Sequence, residues 1–402
     1  MEIPYVGPWL TFLHSCMTRL LLLLSCALFI ESLAAGLLPP GPWRWTLAAA
    51  FLSIGGSILS QLLSGLARGP SSWLPDMKVQ SESGSFRDGS VAWTTCSMRG
   101  WRATMEDAHV VEALSPDVFP DCALFAVLDG HGGAEVSRLA ARLLRAEIEA
   151  CAREQAKHHA DMGDGPSRLS AAMEAALPRL DAKLRTGFAS LGRFLPSSLH
   201  PFLCVGSTAC VAAVDFARNE VVVANVGDSR AMLVRQGKAD ALTVDHKPED
   251  PKEKKRICAA GGNVLKRGVC HRVDGSLNLS RALGDFHLKS NFLLPPEEQK
   301  IIAVPDCTRA SFDGELLVIA CDGLFEKFSS QDLADFVWKR LDPDTTPDFE
   351  KIGQQLLHSC CARGHMGLPT EEGTDNETVI FVRLPPAEAH AARAAAVVGP
   401  VS

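Results

Sequence analysis

The sequence has no Cys-x-x-Cys pair, no surplus of basic charge and no internal repeat. Its thirteen cysteines are scattered; only Cys360 and Cys361 are adjacent, and eleven, an odd number, lie beyond residue 80. This spacing lacks the paired ligands of a zinc site and the even framework of a disulfide-stapled domain, which leaves reduced, mostly buried thiols of a cytosolic domain. A net charge of −7 argues against a general nucleic-acid binder, whose footprint is basic. The lack of a period excludes repeat arrays. What is present is of globular composition, 47% hydrophobic and 22% charged over 402 residues, enough for one large domain or two ordinary ones.

The N-terminus departs from that composition. Residues 20–38 are largely apolar behind Arg19, and residues 46–67 carry no charge and only Gln61 as a strongly polar group. The second run is long enough to span a hydrocarbon core, which needs roughly 20 residues, and Trp43, Trp45 and Arg68 stand where interfacial residues belong. The first run reads either as a signal-peptide core, with Ala34-Ala35-Gly36 as cleavage residues, or as the first helix of a membrane hairpin. Both leave the following domain in the cytosol. The alternative is that the runs are buried core helices. The expectation is a membrane-anchored chain with one or two transmembrane helices: a hydrophobic membrane segment over 1–69, a Ser/Gly/Pro-rich linker over 70–87, a folded domain over 88–384 and a disordered tail over 385–402.

Within the domain, apolar runs of strand length at 122–128, 208–216, 220–226, 230–234, 315–320 and 377–382 alternate with helical spacings at 134–157, 169–188, 331–341 and 349–363. Strands in sequential pairs, with helices in separate blocks, predict an α+β layered fold with mostly antiparallel sheets.

Four acidic clusters stand out, three of them at strand ends. They are Glu106-Asp107, Asp129 after 124–128, Asp322 after 316–321, and Asp375 before 377–381. A carboxylate beside so apolar a strand must be paired or coordinated, and several converging would repel without cations. Oxygen donors without a Cys/His set favour Mg²⁺ or Mn²⁺. Each cluster alone has a plainer reading. Asp129-Gly130 and Asp322-Gly323 are ordinary turn dipeptides, Glu106-Asp107 a solvated surface, His131 structural and Arg102 a surface cation. Their joint occurrence, in this order, overturns those readings.

The chain resembles the metal-dependent serine/threonine phosphatases of the type 2C family. The resemblance spans about 91–384. It rests on Met98-Arg99-Gly100-Trp101-Arg102 with Met105-Glu106-Asp107-Ala108-His109, Asp129-Gly130-His131-Gly132-Gly133, Gly206-Ser207-Thr208-Ala209 and Asn225-Val226-Gly227-Asp228-Ser229-Arg230. It continues through Asp245-His246-Lys247-Pro248, Ala260-Gly261-Gly262, Leu279-Ser280-Arg281-Ala282-Leu283-Gly284-Asp285, Cys321-Asp322-Gly323 and Thr374-Asp375-Asn376.

The resemblance implies a four-layer αββα fold, an antiparallel β-sandwich flanked by helices, and two Mg²⁺ or Mn²⁺ ions with a weaker third. It implies that Asp129 bridges the pair and that Asp322 and Asp375 complete one ion. Glu106 and the Gly130 carbonyl serve the other, Asp107 supports them, and Asp228 holds the third. It further implies hydrolysis of phosphoserine and phosphothreonine in protein substrates by a water activated between two metals. Arg102 binds phosphate oxygens and His131 protonates the leaving oxygen. No cysteine nucleophile is needed. The catalytic domain is expected to be monomeric, membrane-tethered and cytosol-facing.

There are departures. Glu326 stands where the third-metal site commonly has Asp, and its extra methylene shifts the oxygen. Leu128 replaces an aromatic residue, a packing change. The segment 245–275, with Lys252, Lys254, Lys255 and Arg256, resembles a flap beside the active site; its basic run is either a solvated helix face or a surface favouring acidic substrates. The alternative function is a catalytically weak or inactive phosphatase-like binding protein, set against the presence of Asp129, Asp322 and Asp375.

Overall fold

Two antiparallel sheets face each other across the core. The first runs in the order Gln80–Phe86, Val91–Met98, Glu377–Arg383, Leu316–Ala320, Arg230–Arg235, Lys238–Ala241. The second runs Asp306–Ser311, Glu220–Val226, Ala209–Asp215, Cys122–Leu128, Ala108–Ala113. This computed structural model describes residues 74–158, 166–191, 203–341, 347–365, 368–369 and 371–386, and every element named here belongs to the unit Pro75–Ser402.

The strand Cys122–Leu128 is apolar throughout because both of its faces are covered. Ala123, Phe125 and Val127 join Leu317, Ile319, Val379 and Phe381 of the opposite sheet in the central core. Leu124, Ala126 and Leu128 point the other way, into a core shared with the helices Glu135–His158 and Pro166–Leu191. In the first of these helices Val136, Ala140, Leu144 and Ile148 recur at four-residue spacing and are all buried, so one stripe lies on the sheet. Ser330–Trp338, opened by a Ser329/Asp332 capping box, and Phe349–Cys360 cover the first sheet through Leu333, Val337, Leu356 and Leu357. The observed order is helices, sheet, sheet, helices, which is the expected α+β sandwich.

Two expectations need correction. Part of the stretch read as a linker, Gln80–Phe86, is the edge strand of the first sheet, paired residue for residue with Val91–Met98. Its Ser- and Gly-rich sequence is mostly exposed, and Gly84 lets the backbone lie directly on the Trp93 ring, so pairing comes from backbone hydrogen bonds with little side-chain burial. The second correction concerns the membrane-anchored, cytosol-facing assignment, which is not upheld. Among the described residues no helix is long and apolar enough to cross a membrane. The long helices are amphipathic and spend their apolar stripe on a sheet. The runs 20–38 and 46–67 that suggested transmembrane helices lie outside the described residues, as does 387–402 of the expected tail.

The flap-like segment is fastened by a buried ion cluster. It comprises the helix Pro251–Ala259 and a hairpin of Val264–Arg267 with Cys270–Val273. Glu253, 3% exposed, accepts from Arg281 at 2.8 Å and from Arg256 at 2.6 Å, and Arg281 reaches Asp306 at 2.9 Å. Burial alone would raise the Glu253 carboxyl, but the two arginines outweigh it and hold it down at about 2, from an ordinary 4.5. A carboxyl depressed in this way contributes stability that is full above pH 4.5 and is lost as pH falls through about 2. Glu253→Gln leaves two buried guanidiniums short of a counter-charge and should cost about 3–5 kcal/mol near neutral pH. Chemical denaturation of the two proteins across pH should show that gap shrinking as the wild type is acidified; a gap independent of pH contradicts the assignment.

Candidate metal centre and active site

Strand register brings the acidic clusters to one end of the sandwich. Ala320 pairs with Val379, and Glu377 pairs with Met98. Asp322, just past one strand, and Asp375, just before its neighbour, therefore emerge side by side, with the Arg102 loop next to them. In the facing sheet Ala108 pairs with Leu128, so Asp107 and Asp129 are neighbours, and Ala209 paired with Val226 sets Asp228 nearby. Ligand atoms of Asp107, Asp129 and Cys321 all lie within 4.8 Å of one another.

Short polar links hold these loops. The Asp129 amide donates to Thr208 Oγ1 at 3.0 Å, and Thr208 Oγ1 in turn shares a hydrogen bond with Ser229 Oγ at 2.8 Å. Asn376 joins two loops at once: its Oδ1 accepts from the Glu106 amide at 2.9 Å, while Nδ2 donates to the carbonyls of Arg99 and Thr104 at 2.9 and 3.1 Å. Gly323 is required by close approach, because a Cβ there would meet the Asn376 carbonyl at 2.1 Å. The Gly130 backbone lies against the Glu106 carbonyl, which also accepts from Ser137 Oγ.

The electrostatics are those of a cluster in want of positive charge. Burial, and then the charges of Asp322, Asp107, Asp375 and Asp228, push the Asp129 carboxyl well above its ordinary range. Burial followed by Asp228 and Asp375 does the same to Asp322. Burial pushes Asp107 up to about 7. Two unit charges about 4 Å apart at an effective dielectric of about 20 interact by about 4 kcal/mol. A few such repulsions rival the whole 5–15 kcal/mol stability of a typical domain. Asp107 Oδ2 accepts from Thr378 Oγ1 at 2.7 Å, but its buried Oδ1 has no hydrogen-bond partner among the described residues. An orphaned carboxylate oxygen among crowded carboxylates fits a hard divalent cation. Cys321 does not alter that: burial holds its thiol protonated far above the ordinary range, and it accepts from the Thr378 amide at 3.1 Å.

The other expected residues are placed as follows. His131 lies on a small sheet of Gly130–His131, Gly206–Ser207 and Leu283–Gly284. Its Nε2 meets Oδ2 of the buried Asp285 at 2.6 Å. Burial works against the imidazolium, but Asp285 outweighs it and raises the His131 pKa. Gly206 makes this pair fit, since a Cβ there would lie 2.2 Å from the Asp285 carboxylate. Arg102 is exposed at the mouth and pairs with Asp375. Glu106 accepts from Thr104 Oγ1 at 2.8 Å. Asp228 is buried and paired with Lys247, while Glu326 accepts from loop amides, so both acids expected of a third site have partners within the chain. Sequence reasoning gave no role to Asp285, Asn376 or Lys247. All three lie inside the motifs quoted above, and only long-range contacts reveal their partners.

This arrangement and fold define a metal-assisted phosphoester hydrolase, and comparison with known proteins agrees. Residues 91–367 match the family model for protein phosphatase 2C, and the chain belongs to that family. It is 34% identical over 343 residues to probable protein phosphatase 2C 58 of Oryza sativa subsp. japonica, covering 78% of this chain and 89% of that one. It is 36% identical over 317 residues to protein phosphatase 2C homolog 2 of Saccharomyces cerevisiae, covering 76% and 61%. A solved phosphatase from a pathogenic strain of Toxoplasma gondii aligns with a TM-score of 0.59 at 26% identity, over 77% of this chain and 96% of that one. The protein is thus a metal-dependent serine/threonine protein phosphatase acting on phosphorylated proteins, and its family uses Mg²⁺ or Mn²⁺.

The crowding has a measurable consequence. Asp129→Asn removes one repelling charge and should raise metal-free stability by something on the order of 1 kcal/mol. Mn²⁺ at about 100 times its Kd stabilises a binding protein by about 2.7 kcal/mol. That gain should appear in wild-type melts and vanish in the variant. A variant less stable than wild type without metal contradicts the crowding.

Proposed function

We propose that the phosphatase reaction is carried by the strand-end cluster, where Asp129 would help to hold two divalent cations. Asp322 and Asp375 would hold one, and Glu106 with the Gly130 carbonyl the other. Asp107 would orient them through its unpartnered Oδ1. What supports this reading is that ligand atoms of Asp107 and Asp129 lie with that of Cys321 within 4.8 Å of one another, that the charges of Asp322 and Asp375 act on Asp129, and that Asp107 Oδ1 has no hydrogen-bond partner among the described residues. When bound, the cations acidify water and offset phosphate charge.

The chain's own groups do the rest. Arg102 offers a planar fork at the mouth and can exchange Asp375 for phosphate oxygens. Asp285 holds the Nε2–H of His131, which fixes the ring and favours its charged form and leaves Nδ1–H to protonate the serine or threonine oxygen as it leaves. Asn376 and Thr208 keep the ligand loops in place without touching substrate. The catalytic domain is proposed to span about 88–384, extended at its start by the edge strand Gln80–Phe86.

Phosphopeptide hydrolysis should require Mn²⁺ or Mg²⁺ and should be abolished by Asp129→Asn; turnover that persists in EDTA sinks the reading. The proton-donor role has a separate test. His131→Ala should lower kcat on a phosphoserine peptide by about 10²–10⁴. It should have a far smaller effect on p-nitrophenyl phosphate, whose leaving group needs no proton. Asp285→Ala should show the same asymmetry in weaker form, while equal losses on both substrates would remove the assignment.

A further inference from the structure

The two acids expected to complete a third cation site are both engaged elsewhere. Glu326 Oε2 accepts from the backbone amides of Gly373 and Thr374 at 2.8 and 3.2 Å. Those residues immediately precede Asp375. The Gly373 carbonyl on the same loop accepts from the Ala362 amide at 2.6 Å, so the loop is gripped from two sides. The neighbouring Lys327 reaches the same region: its Nζ donates to the Cys361 carbonyl at 3.3 Å and pairs with Glu371 at 3.0 Å. Glu371 also accepts from the Arg363 amide at 3.0 Å. Residues 326 and 327 thus act as two adjacent hooks on the segment 371–374. Across the site Asp228, 2% exposed, is paired with the Lys247 ammonium, which already supplies the positive charge that a cation would bring there.

The extra methylene of glutamate has a purpose in this geometry. A carboxylate that reaches two consecutive loop amides is a charge-assisted acceptor, stronger than a neutral one. Loop order matters here because Asp375 has to face the other carboxylates against their repulsion, and a free loop would swing it away.

We propose that Glu326 is a positioning residue that clasps the Asp375 loop and is not a cation ligand, and that Lys247 neutralises Asp228, so that this phosphatase holds two divalent ions and not three. This rests on the proposed role of Asp375 as a ligand.

Mn²⁺ titration calorimetry and amide hydrogen exchange on the purified full chain test it together. Wild type should bind two equivalents. Glu326→Gln keeps an oxygen that can accept from both amides, so it should still bind two and keep the Gly373 and Thr374 amides protected. Glu326→Ala should expose those amides to exchange at least about tenfold faster and weaken one of the two Mn²⁺ sites by about tenfold, with Glu326→Gln as the rescue. Three equivalents in wild type falling to two in Glu326→Gln would overturn the clasp and leave the two-metal reading standing. Unchanged exchange in Glu326→Ala would overturn it as well. No Mn²⁺ binding by wild type would instead remove the metal-centre reading on which it rests.

Discussion

Like charges brought together at the end of a β-sandwich are the constraint on which the rest of this molecule depends. Asp107, Asp129, Asp322 and Asp375 arrive there because antiparallel register leaves no other place for residues that end or begin adjacent strands. Their repulsion is set against a framework whose core strands are buried on both faces and whose loops are tied by Asn376, Thr208 and Ser229. The same crowding that costs stability makes a site that a hard divalent cation completes. Structure and chemistry here are one problem: the sheets must be rigid enough to hold an arrangement that is unfavourable until the counter-charge arrives.

Positive charge from the chain itself is distributed around that cluster with some selectivity. Arg102 sits at the open mouth, where it can exchange partners, and Lys247 is committed to the buried Asp228. Directly after a strand of the small sheet, Asp285 is paired with His131. Carboxylates of one type therefore serve as cluster members, as an ion-pair partner and as a histidine orienter, according to whether the nearest group is another acid, an ammonium or an imidazole. The flap-like segment follows the same logic, with Glu253 placed between Arg256 and Arg281 where burial alone would have neutralised it.

Much of this was legible in the sequence. The uninterrupted apolar run 122–128 marked a strand buried on both faces, and the strands at 220–226, 316–320 and 377–383 and the helix over 135–158 lie within a residue or two of the spacing-based expectation. The acidic clusters were found because an acid beside an apolar run is anomalous locally. What stayed hidden needed long-range geometry. Asn376 binds residues some 270 positions away, Asp285 meets a histidine 154 positions away, and nothing local distinguishes either from a turn residue. The edge strand Gln80–Phe86 was misread as a linker because its pairing draws on backbone groups that composition does not register. Glu326 looked like an altered ligand because spacing shows position along the chain and not which amides a side chain reaches. The membrane assignment rested on hydropathy of runs outside the described residues, and no described helix supports it.

The central claim is that divalent cations supply the counter-charge that Arg102 alone does not provide at the strand ends. Anomalous diffraction from crystals of the protein grown with Mn²⁺ measures that directly. The account predicts two strong peaks flanking the Asp129 carboxylate, one beside Asp322 and Asp375 and the other beside Glu106 and the Gly130 carbonyl. A map with no peak in contact with Asp129 would contradict it.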